Sequence, residues 1–165
     1  NESRIVRTWV SRLIKNAVIV EQRQVSEGSY QIMMLMPMIE PEVNIKSETR
    51  AECDQILLEE ILKSLDALPE GQQVMLKLSL PTKPGLFDQL VDHPKVLRVV
   101  ALSGGYKRPE ACVELSRNRG IIASFSRALL EDLRHQMSDD EFNASLGGAI
   151  DEIHAASTKK VAVAA

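Results

Sequence analysis

Residues 71–85 read GQQVMLKLSLPTKPG. Val74, Leu76, Leu78 and Leu80 alternate with Met75, Lys77 and Ser79, the two-residue period of a strand with two distinct faces. Lys77 interrupts an apolar run, where an ammonium ion is costly to bury. Two readings follow. A lysine held among apolar groups loses hydration of its charged form, and the neutral amine can attack a carbonyl to form a Schiff base. Alternatively, a lysine near a strand end snorkels outward or pairs with a carboxylate.

Working outward, the chain alternates. The apolar run YQIMMLMPMIEPEVNI (30–45) precedes ETRAECDQILLEEILKSLDAL (48–68), where Ile56, Leu57, Ile61, Leu62, Leu65 and Leu68 recur at helical spacing. The sequence PEG then breaks the helix before the lysine strand. A short helical piece, GLFDQLVDH (85–93), leads to the strand KVLRVVALSGG (95–105). The helix KRPEACVELSRN (107–118) stops at Gly120, and GIIASFS (120–126) runs into the helix RALLEDLRHQM (127–137). Ser138 and Glu141 have the spacing of a capping box and open a last amphipathic helix through Phe142, Leu146, Ile150 and Ile153. Residues 1–30 read as an N-terminal helical segment, 31–157 as four strand-and-helix units, and 158–165 as a flexible tail.

This order predicts an α/β fold with a parallel sheet covered by helices. Either an open doubly wound sheet or part of a (β/α)8 barrel fits. Neither GxGxxG nor GxxxxGK[ST] is present, which weakens the nucleotide-binding version. Four units make half a barrel, since a closed one takes roughly 250 residues. Pro37 lacks the N–H of a central strand, so the first strand is expected at an edge.

The 165 residues, 44% hydrophobic and 26% charged with a net charge of −3, suit one globular domain and offer no broad basic footprint for nucleic acid. Cys53 and Cys112 are isolated and read as ordinary reduced thiols. His93, His135 and His154 are far apart, so no metal site is expected. No apolar segment is long enough for a membrane span, and NESRIVRTWV lacks a signal-peptide core, which makes the cytoplasm the expected location.

Three further features surround Lys77 in this topology. Glu40 and Glu42 stand two apart at the end of the preceding strand, where carboxylates fit acid–base work beside an imine or a plain ion pair between strands. Ser103, Gly104 and Gly105 end the next strand and offer free backbone N–H groups to an anion, though SGG is also a common turn. Ser126 and Arg127 begin a helix after the last strand, an arrangement that suits phosphate or marks an ordinary helix start.

The stretches MIEPEVNI (38–45), VMLKLSLPTK (74–83), VLRVVALSGGY (96–106) and IIASFSRALLEDL (121–133) closely resemble the second half of bacterial-type class I fructose-bisphosphate aldolases. SDDEFNASLGGAIDEIHAAS (138–157) is similar to their last helix. The resemblance covers about residues 36 to 157 and implies the C-terminal half of a TIM (β/α)8 barrel: four parallel strands with covering helices. Lys77 then matches the Schiff-base lysine, Glu40 the proton acceptor, and Glu42 a supporting acid/base residue. Ser103, Gly104, Ser126 and Arg127 match the contacts to substrate phosphate. The implied reaction is reversible cleavage of fructose bisphosphate into glyceraldehyde phosphate and dihydroxyacetone phosphate. It uses no metal and no cofactor, because the protonated imine is the electron sink.

The first strands of the family's barrel, with their active-site aspartate and lysine, have no counterpart here, and QVSEGSYQIMMLMP departs from the family before residue 36. A complementing N-terminal half or self-association is the expected partner, since half a barrel exposes two strand edges and an apolar inner face. The alternative to a working lyase is a non-catalytic half-barrel that binds sugar phosphates or a partner chain.

Overall fold

A computed structural model describes residues 20–26, 29–34 and 37–162. The first two strands, β1 (Val20–Ser26) and β2 (Ser29–Met34), pair antiparallel in a sheet of their own. A helical segment through residue 30 was expected, so its last part is corrected to strand. Val20, Tyr30 and Ile32 are β-favouring residues paired across the ladder, and cross-strand pairing wins over the helical reading. Residues 1–19 of that segment lie outside the described residues.

The apolar run from Tyr30 therefore divides between two sheets. Its later part is β3 (Met38–Ile39), which begins the four-stranded sheet β3-β4-β5-β6 with β4 (Val74–Ser79), β5 (Val96–Leu102) and β6 (Ile122–Ala123). All three neighbouring pairs are parallel. Helices α1 (Arg50–Asp66), α2 (Asp88–Val91) and α3 (Arg108–Ser116) occupy the successive crossovers, and α4 (Arg127–Leu130) and α5 (Asp139–Thr158) follow the last strand. This is the α/β order read from the sequence, with β3 at an edge as Pro37 required. No helix among the described residues is long and apolar enough to cross a membrane.

The core lies between the sheet and its helices. Val74, Leu76, Leu78 and Leu80 are almost fully enclosed on this side of β4, together with Leu57, Ile61 and Leu65 of α1. Each such side chain contributes roughly 1.5–3 kcal/mol by leaving water. The register carries the alternation across the sheet. Lys77 lies beside Val100 of β5, and Val100 beside Ile122 of β6, so these three share the opposite face.

Two lysines close helix ends. Lys95 Nζ donates to the carbonyls of Leu65, Asp66 and Leu68 at 2.9, 3.2 and 2.7 Å, satisfying groups that the end of α1 leaves bare. Lys160 Nζ donates to the carbonyls of Leu115, Ile121 and Ala156 at 3.0, 2.7 and 3.0 Å. The Val161 N–H also reaches the Ser116 carbonyl at 3.0 Å. The loose tail expected over 158–165 is thus corrected in its first part: α5 runs through Thr158, and residues 160 and 161 are tied to α3, while residues 163–165 lie outside the described residues.

Helix α5 starts with the capping box that its sequence spacing predicts. The Ser138 hydroxyl accepts from the Glu141 N–H, and the Glu141 carboxylate accepts from the Ser138 N–H. By contrast, the helix expected over 127–137 shortens to the four residues of α4. Arg108 explains why. Its backbone N–H donates to Glu131 and its guanidinium binds Asp132 and Glu152, which draws the acidic end of the segment into a cross-element network. Ser157 of α5 bonds to the sheet: its hydroxyl accepts from the Ala123 N–H at 3.0 Å and donates to the Ile153 carbonyl at 2.9 Å.

Candidate active site

Alternation on β4 turns Lys77 away from the helices, and parallel pairing puts the end of β3 beside it. Lys77 Nζ lies 3.0 Å from Glu40 Oε2. The lysine side chain is 20% exposed and the glutamate 48%, so the pair sits at the rim of the sheet face and is reachable by a small molecule. The sequence placed both groups at the C-terminal ends of parallel strands, where open α/β sheets and barrels bind ligands.

Glu42 goes elsewhere. The ladder between β3 and β4 ends at Ile39 and Leu76, and Pro41 follows, so the two-residue period that would place Glu42 beside Glu40 no longer holds. Glu42 Oε1 instead faces Arg127 Nη2 at 3.7 Å. That contact links the loop after the first strand of the sheet to the start of α4 after the last. Both partners are well exposed, Arg127 at 73%, so the pair is weak and easily exchanged for another anion.

Ser126 is exposed just before Arg127, and its carbonyl accepts the Leu130 N–H at 3.2 Å. Ser103 lies in a turn whose carbonyl accepts the Tyr106 N–H at 2.9 Å, and its side is nearly enclosed at 4% exposure. The accessible part of that loop is backbone. Gly104 and Gly105 have φ of +61° and +104°, which side-chain-bearing residues rarely adopt. A Cβ on Gly104 would stand 3.1 Å from Ile45 Cγ2, so the loops after β3 and β5 also pack together here.

Three supporting groups were not assigned from the sequence. Ser79, on the Lys77 face, is 1% exposed; its hydroxyl accepts the Val43 N–H at 2.9 Å and donates to the Val43 carbonyl at 3.2 Å. Behind the sheet, Arg50 Nε binds Asp54 Oδ1 at 3.0 Å while Nη2 donates to the Leu80 carbonyl at 2.6 Å. The other Asp54 oxygen accepts from both the N–H and the hydroxyl of Thr82, at 2.9 and 3.0 Å. Arg50 and Asp54 have the readable i,i+4 spacing of a helix pair, but spacing alone does not reveal that they face the core and hold the loop after β4.

A groove of about 460 Å³ runs between β6 and α5, lined by Ser124, Ser126 and Leu129 on one side and Ile150, Ile153 and His154 on the other. Lys77 does not line it, so the groove and the lysine are separate features. Cys53 and Cys112 are buried free thiols, and burial, reinforced by Glu152, pushes the Cys112 thiol up to about 11. Such a thiol is a packing residue at neutral pH. No protein-family model matches the chain.

Proposed function

We propose that the chain is the C-terminal half of a (β/α)8 barrel of the class I fructose-bisphosphate aldolase type, with Lys77 as its imine-forming amine. The observation that carries the reading is the 3.0 Å approach of Glu40 to Lys77 at the end of adjacent parallel strands. An amine with a carboxylate at that distance has both the nucleophile and the proton carrier that Schiff-base chemistry requires.

Nζ attacks the ketone carbon, and a proton passes from the nitrogen to the carbonyl oxygen to give a carbinolamine. A second proton, delivered by the acid form of Glu40, lets that oxygen leave as water and the iminium form. In cleavage, Glu40 as carboxylate removes the proton of the hydroxyl on the second carbon from the iminium, the carbon beta to it. The bond between that carbon and the one next to the iminium breaks, its electrons neutralise the iminium as an enamine, and an aldehyde departs. Glu40 returns its proton to the enamine carbon, and water hydrolyses the resulting iminium to free the ketone and the amine. Arg127, Ser126 and the backbone of Gly104 and Gly105, with Ser103 shaping their turn, receive the phosphate. Glu42 releases Arg127 as that phosphate arrives.

The test is incubation with dihydroxyacetone phosphate, reduction with borohydride, and mass spectrometry. The expected product is a stable adduct on Lys77 that Lys77→Met abolishes. An unmodified chain sinks the imine reading, and labelling that survives Lys77→Met puts the amine elsewhere. The second reading, a non-catalytic half-barrel that binds sugar phosphates or a partner, is favoured by the exposure of Glu40, which leaves the ion pair open to water. Phosphate binding that depends on Arg127, without any adduct, would be its signature.

A further inference from the structure

We propose that Ser79 is the positioning residue of this site, the anchor that holds the segment bearing Glu40 and Glu42 over Lys77. The proposal rests on the Schiff-base reading of Lys77 for its functional meaning. The paired part of β3 ends at Ile39, and Pro41 has no N–H with which to extend it. Four residues past the ladder, Val43 is again fixed to β4, this time by a side chain. A serine hydroxyl both donates and accepts, and that of Ser79 bonds the carbonyl and the N–H of the same residue. One hydroxyl thus ties the chain back to β4 after proline has removed a ladder donor.

Residues 40–42 are consequently suspended between two fixed points, the ladder at Ile39 and the hydroxyl at Val43. Glu40 and Glu42 both lie within that span, and each meets its own cation: Lys77 at 3.0 Å and Arg127 at 3.7 Å. Ser79 touches neither pair. It acts through Val43, and its burial keeps water from replacing either bond. Threonine preserves the hydroxyl; alanine leaves the far end of the span unanchored.

The test compares adduct formation with dihydroxyacetone phosphate and borohydride in the full chain carrying Ser79→Ala, Ser79→Thr, Glu40→Gln, and Ser79→Ala with Glu40→Gln. Misplacing a reacting group by about 1 Å can cost roughly a hundredfold in rate. Ser79→Ala is expected to slow labelling about ten- to hundredfold, and Ser79→Thr to restore most of the rate. In the Glu40→Gln background Ser79→Ala should add little, because the group it positions is already gone. Labelling of Ser79→Ala at the parent rate, or an equal slowing in both backgrounds, overturns the proposal.

A second measurement does not depend on the chemistry. The stability coupling between Glu40→Gln and Lys77→Met, taken from urea unfolding, should be present in the parent and vanish in the Ser79→Ala background. If the parent is never labelled, the Schiff-base reading fails, and this coupling alone decides on Ser79: its loss sustains the anchor, its persistence removes it.

Discussion

On β4, Leu76 is enclosed between the sheet and α1, while its neighbour Lys77 keeps a fifth of its side chain in solvent. The same division runs along the strand. Towards the helices lie leucines and, just beyond them, the buried Arg50–Asp54–Thr82 network. On the other side lie Met75, Lys77 and the Ser79 anchor. Both sides contain charged groups, but the treatment differs. Arg50 and Asp54 are withdrawn from water and bonded to backbone, whereas Lys77–Glu40 and Glu42–Arg127 stay partly wet and exchangeable. One face therefore withdraws its charges into the packed layer, and the other keeps its charges within reach of solvent.

Removing a charge from the dry side is the most damaging way to probe this division. Asp54→Ala leaves Arg50 buried without its counter-charge and frees the loop at Thr82, and urea unfolding is expected to show a loss of about 4 kcal/mol. Leu76→Ala opens a cavity in the packed layer and should cost about 3 kcal/mol in the same assay. Met75→Ala, one residue away on the open face, should cost less than about 1 kcal/mol. Equal losses at Met75 and Leu76 would mean that the Lys77 face is packed as tightly around Met75 as the helix-facing side is around Leu76, and the contrast would collapse.

The pairing of Lys77 with Glu40 was legible because strand alternation is local and both residues lie on or next to regular ladder. Glu42 was not, because Pro41 ends the ladder between the two glutamates and releases the second from the period of the first. The anchor at Ser79 was visible as a residue on the right face but not as a function. A hydroxyl has no sequence signature for the backbone it will meet 36 residues away. The same limit hid the division of residues 30–45 between two sheets, since an apolar run carries no mark of which partner each part will find. The shortening of α4 depended on Arg108, a residue on another element whose attraction for Glu131, Asp132 and Glu152 is a tertiary effect.

The bond from the Ala123 N–H to Ser157 has a kinetic consequence. Strand β6 has no strand partner on its outer side among the described residues, and such an edge is where a second polypeptide could add and template further growth. An arriving strand would find its first donor already engaged by a hydroxyl that α5 holds in place. Fibre nucleation must therefore begin by breaking a bond rather than by making one.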